Sequence, residues 1–143
     1  MSRGSPELTE ARKEEIIAAC AKLNESMSFR EITIKEIGAI TSFTRTSIYN
    51  YYETKEEIFL ALLQKEYELW VKAMDTVIAD QTAMARDELA QVIARTLTDR
   101  PRLLRLLSMN LYDMEANSRP ERLAEFKVAY GASLNAVSRM VDK

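Results

Sequence analysis

The chain has 143 residues, 47% of them hydrophobic and 29% charged, with a formal net charge of −2. That balance suits one or two small domains with real cores and argues against disorder, and three Gly and three Pro leave little turn chemistry for a many-stranded sheet. Histidine is absent and Cys20 is the single cysteine, which removes the commonest neutral-pH acid–base group and the commonest metal ligand and forbids an intrachain disulfide or a thiolate metal cluster.

Apolar residues recur at three and four rather than two, so the expected class is all-α. Met1–Ser5 is small and polar and reads as an arm. A first helix opens at Ser5-Pro6 or Thr9, with Leu8, Ile16, Ala19, Cys20 and Leu23 on one stripe, and stops at Asn24-Glu25-Ser26. Cys20 reads as a buried small hydrophobe, with a reactive thiol as the alternative. Phe29 and Ile32 read as plugs of a small core.

Thr33 can cap a short helix carrying Ile34, Ile37 and Ile40. Thr41, Ser42 and Phe43 break the pattern, and Thr44 can cap a second helix from Arg45 to Tyr52. On that helix Thr44, Ile48, Tyr51 and Tyr52 gather on one side, while Thr46 and Asn50 project opposite, flanked by Arg45 and Tyr49. A short polar face of Arg, Thr, Asn and Tyr on a two-helix corner has the chemistry to enter a DNA major groove. Arg forks onto guanine, Asn onto adenine, and a Thr methyl meets thymine.

Thr54-Lys55-Glu56-Glu57 has the pattern of a capping box. A long amphipathic helix follows, with Ile58, Phe59, Leu62, Leu63, Tyr67, Trp70, Met74, Val77 and Ile78 inward. After a break at Asp80–Ala83, Met84, Leu89, Val92, Ile93 and Leu97 outline a helix ending before Pro101. Leu103, Leu104, Leu106, Leu107, Leu111 and Met114 then predict one helix of about three turns up to Asn117-Ser118. Pro120 suits the start of a last helix, with Leu123, Phe126, Tyr130, Leu134, Val137 and Val141 inward. The apolar spacing is still running at Lys143, and the expectation is a C-terminally incomplete chain.

Phe29, Thr33-Ile34-Lys35-Glu36-Ile37, Thr44-Arg45-Thr46-Ser47-Ile48-Tyr49 and Tyr51-Tyr52-Glu53-Thr54-Lys55-Glu56-Glu57-Ile58 together resemble the helix-turn-helix DNA-binding domain of TetR-family transcriptional regulators. The resemblance implies a three-helix DNA-binding domain over residues 1–55 and a partial helical effector-binding and dimerisation domain over 56–143, since the family continues through helices that build a dimeric four-helix interface. It implies that Arg45, Thr46, Tyr49 and Asn50 lie nearest the bases and that Thr33, Thr44, Ser47, Tyr51 and Lys55 hold phosphates. Ser42 and Thr46 stand where the family usually has glycine, so the operator read cannot be copied from relatives.

The resemblance also implies a small, largely apolar effector in the C-terminal half. Tyr67, Trp70, Met74, Met109, Tyr112, Phe126 and Tyr130 are the candidate lining, with Asn110 as an orienting hydrogen bonder; ordinary core is the alternative for each. The expected protein is therefore a cytoplasmic, homodimeric regulator, a repressor by expectation, that binds a near-palindromic double-stranded operator and is released by its effector. No cofactor, metal or membrane is expected, and no enzyme: Asp113 and Glu115 fall on different helix faces, and no glycine-rich phosphate loop occurs. Residues 1–55 carry eight Lys/Arg and eight Asp/Glu. With no broad basic patch there, a helical protein-interaction module stays open as the alternative.

Overall fold

The computed structural model describes residues 6–80, 86–109 and 111–141. Eight helices run through them: α1 (Pro6–Asn24), α2 (Ile34–Ala39), α3 (Arg45–Ile48), α4 (Lys55–Asp80), α5 (Arg86–Thr98), α6 (Pro101–Leu107), α7 (Leu111–Ala116) and α8 (Pro120–Val141). No strand occurs among the described residues, as the three- and four-residue spacing requires. The expected arm, Gln81–Ala83 of the expected break, Met84 and Asn110 lie outside the described residues, as do the side chains of Ile78, Leu111 and Val141.

Two expectations about helix length are corrected. α3 is only four residues long, because beyond Ile48 the backbone tightens: the Asn50 and Tyr51 amides donate three residues back, to Ser47 and Ile48, at 3.1 and 2.9 Å. The single helix expected from Leu103 to Met114 is two, α6 and α7. α6 closes at Ser108, where the backbone tightens in the same way: the Ser108 and Met109 amides donate three residues back, to Arg105 and Leu106, at 3.2 and 3.1 Å.

The chain divides into two compact units, Met1–Leu62 with Leu111–Arg119, and Leu63–Asn110 with Pro120–Lys143. α4 contributes to both. In the first unit α1 packs on α2 and α2 on α3, around Ile16, Cys20, Ile32, Ile37, Ile48, Ile58 and Phe59, all fully buried. Phe29 meets the Phe59 ring edge-on at 4.8 Å, so both loop plugs close this core. Leu8, expected on the stripe, and Ile40 remain exposed, as singly placed apolar residues often do. Burial pushes the Cys20 thiol up to about 12, with Lys55 pulling weakly the other way. It stays protonated and unreactive at neutral pH.

The start of α4 departs from the expected capping box. The Glu57 amide donates to Thr54 Oγ1 at 3.1 Å, but the Glu57 carboxylate accepts from the Glu53 amide at 2.9 Å and from Arg119. Arg119 donates to it from Nε and Nη2 at 2.9 Å each and from its backbone amide at 2.7 Å. The same Nη2 reaches the Tyr51 carbonyl at 3.2 Å, and Thr54 Oγ1 donates to the Asn117 carbonyl at 2.9 Å. With Glu57 only 1% exposed, the carboxylate of this bidentate pair is held out of water.

The second unit centres on Met74 and Ala136, both fully buried, with Trp70, Val71, Val77, Leu89, Val92, Ile93 and Val137 packed around them. Trp70 Nε1 donates to Thr96 Oγ1 at 3.0 Å, and that hydroxyl donates onward to the Ile93 carbonyl at 2.7 Å, so the indole is satisfied within the packing. Leu134, expected inward, is exposed. No helix among the described residues is long and apolar enough to cross a membrane.

Candidate nucleic-acid interface

The corner is built from two caps and a close crossing. Thr33 caps α2 in a full capping box: the Glu36 amide donates to Thr33 Oγ1 at 3.3 Å and the Thr33 amide to Glu36 Oε1 at 3.0 Å. Removing the hydroxyl with Thr33→Ala is expected to lower stability by about 0.5–2 kcal/mol, read by thermal or urea unfolding. Thr44 caps α3, accepting from the Ser47 amide at 3.3 Å.

Between the helices, the Thr41 hydroxyl lies within hydrogen-bonding reach of the Gly38 and Phe43 carbonyls, at 3.0 and 2.9 Å. Ser42 donates to the Glu15 carboxylate through both its amide and its hydroxyl, the latter at 2.8 Å. Arg12 of α1 stands over the Phe43 ring at 5.8 Å. The turn is thus tied to α1 by charge-assisted bonds. At Gly38 a Cβ would lie 3.2 Å from Arg45 Cα and 3.3 Å from its nitrogen. The missing side chain is what lets α2 cross the start of α3 so closely.

These supports separate the nine expected DNA-contacting residues into two groups. Arg45, Thr46, Tyr49 and Asn50 are exposed, and among the described residues their side chains have no hydrogen-bond or ion-pair partner. The other five are engaged. Thr33, Thr44 and Ser47 serve the caps. Tyr51 is 9% exposed and accepts from Arg12 Nη1 at 3.4 Å.

Lys55, expected at a phosphate, turns its ammonium inward. Nζ donates to the Phe29 and Ile32 carbonyls at 2.7 and 3.0 Å and stands 4.3 Å from the Phe29 ring centroid. It gathers the loop before α2 onto α4. Gly38, Glu15, Arg12 and Arg119 were not singled out from the sequence. Only Gly38 carried a signal there, a glycine inside a helix with apolar neighbours.

The residues expected around an effector fall in several places. Tyr67 and Phe126 are buried and meet at 6.0 Å between ring centroids. Tyr130 stands edge-on to Tyr67 at 5.6 Å and stacks near Phe126 at 6.2 Å, and Trp70 lies 6.4 Å from Tyr67. They form an aromatic cluster of α4 and α8. Burial of Tyr67, with Tyr130 beside it, pushes its phenol up. Met74 is fully buried, Met109 half-buried, and Tyr112, on α7 in the first unit, is 79% exposed. Among the described residues no group of three or more His, Cys, Asp or Glu is placed to hold a metal.

Two short helices at a capped corner, the second offering with the turn after it a polar face that has no partner among the described residues, define a helix-turn-helix protein. The family model described as tetracyclin repressor-like, C-terminal domain, matches residues 64–143. The chain belongs to the TetR family of DNA-binding transcriptional regulators. In fold it is similar to a TetR family transcription regulator from Marinobacter aquaeolei VT8, with a TM-score of 0.62, 19% identity, and coverage of 94% of this chain and 71% of that one. It is also similar to the fatty acid degradation regulator FadR from Bacillus halodurans, with a TM-score of 0.66, 14% identity, and coverage of 98% and 68%. None of the curated proteins matches the chain in sequence.

Proposed function

We propose that the chain is a cytoplasmic repressor that binds a near-palindromic operator as a homodimer and is released by a small, largely apolar effector. The observation that carries the DNA half is the sorting of the corner: Arg45, Thr46, Tyr49 and Asn50 are exposed and have no side-chain partner among the described residues, while their neighbours hold the backbone. Arg45 and Asn50 read bases by bidentate hydrogen bonds, Thr46 offers its methyl, and Tyr49 its phenol. Thr33, Thr44 and Ser47 are close enough to solvent to add phosphate contacts, whereas Lys55 and Tyr51 act through the fold by fixing the corner.

Two copies place their recognition helices in successive major grooves, about 34–36 Å apart. Exposed apolar residues of α8, Tyr130 and Leu134 one turn apart, support a self-association face. The effector acts by population shift. It favours a conformation of α4, the one helix shared by both units, that no longer matches both half-sites.

Selection from a pool of random duplexes tests this directly. The expected product is an inverted repeat with half-site centres about one helical turn apart. Binding should weaken steeply with salt because phosphate contacts release counterions. A shallow salt slope with no enriched sequence would instead leave the corner as a protein-docking module.

A further inference from the structure

A cavity of about 430 Å³ opens in the second unit between α4 and α5, lined by Ala73, Thr76, Val77, Val92, Arg95, Thr96, Asp99 and Arg100. Its volume falls in the range of about 300–1,000 Å³ typical of small-molecule sites. None of the residues expected from the sequence to surround an effector lines it.

We infer that this cavity binds a small organic anion with an apolar body. Ala73, Val77 and Val92 supply apolar wall, and Arg95 and Arg100 supply two guanidinium groups. Among the described residues neither guanidinium has a hydrogen-bond or ion-pair partner. Asp99 is the one carboxylate of the lining and among the described residues pairs with neither, so the lining keeps a net positive charge. A guanidinium presents a planar fork matched to a carboxylate or phosphate, and such charge-assisted bonds are stronger than neutral ones. Thr96 is engaged with Trp70 and Ile93, so it contributes wall rather than a free donor. As the seat of the effector this inference rests on the regulatory reading above; as a binding site it does not.

Trp70, the only tryptophan of the chain, reports on the cavity through its bond to Thr96. The test is a fluorescence titration of the full chain with 4-phenylbutyrate and with its neutral twin, 4-phenylbutan-1-ol. The expected result is saturable quenching or shift with both, the anion binding about tenfold more tightly, as a charged hydrogen bond gives over a neutral one.

In the Arg95→Gln/Arg100→Gln variant that preference should vanish while the alcohol's affinity stays, which also shows that the variant is folded. Val92→Phe should weaken both ligands by filling the wall. Equal affinity of the two ligands for the unaltered chain, absence of a saturable response, or a preference that survives the double substitution would each overturn the assignment. If the anion binds as expected and operator affinity does not change, the site stands and its role as the effector's seat falls.

Discussion

Arg119→Ala is expected to lower the stability of the first unit by about 2–3 kcal/mol, measured by urea unfolding at neutral pH. Breaking a buried pair by removing one partner costs about 3–5 kcal/mol because the other charge is left without compensation. Glu57 is only 1% exposed, but the Arg119 side chain is 34% exposed and keeps part of its hydration, which places the effect below that range.

Burial alone would raise the Glu57 carboxyl above its ordinary value. The Arg119 guanidinium, with the Glu53 and Arg119 amides, more than offsets that and holds it below. Since the folded value lies below the unfolded one, the stabilisation is fully present above the ordinary glutamate range, about 4.3, and is lost as pH falls through the folded value. The stability gap between the unaltered chain and Glu57→Gln should therefore be wide at pH 7 and close in acid. A gap independent of pH would show that the carboxylate charge contributes nothing there. Arg119→Lys should recover only part of the loss, because an ammonium cannot occupy both fork positions.

Arg45→Ala and Asn50→Ala should each weaken binding to the selected operator by about 1–3 kcal/mol. Both side chains are exposed and without a partner among the described residues, so unfolding curves should barely move. Combined, the two losses should add if the residues read separate base pairs. Mobility-shift titration at fixed salt gives the magnitude, and repeating it on operators changed one base pair at a time shows which preference each substitution relaxes. If both variants bind the operator like the unaltered chain, this face does not read DNA. Lys55→Met makes an instructive contrast: it should lower stability through loss of the Phe29 and Ile32 carbonyl contacts, with operator affinity following only as far as the corner loosens.

Much of the fold was readable because helix periodicity is a local signal. The starts of α2, α4 and α8 followed from Thr33, Thr54 and Pro120, each acting on residues within one turn. α3 proved shorter than its apolar pattern because Ile48, Tyr51 and Tyr52 can all face inward from a tightened turn as well as from a regular helix. The division of α6 from α7 was not legible because no glycine or proline stands between Leu107 and Leu111, so the apolar spacing reads straight through it. Arg119 could not be assigned to Glu57, because nothing local marks a pairing across 62 positions. At the corner, sequence identified side chains with DNA-binding chemistry but not which were already engaged. Thr, Tyr and Lys have the same groups whether they face solvent or a carbonyl.

The order in which the first unit is assembled along the chain has a consequence for how the protein forms and responds. Leu63–Asn110 is an insertion between the two pieces of that unit, so on a ribosome the Glu57 carboxylate waits without its guanidinium until Arg119 has emerged. Docking Leu111–Arg119 means closing the insertion as a loop, and the entropy lost depends on how ordered that loop already is. A ligand that stiffens residues 63–110 thereby lowers the closure penalty and tightens the grip on the start of α4, and a tighter grip returns the same free energy to the ligand.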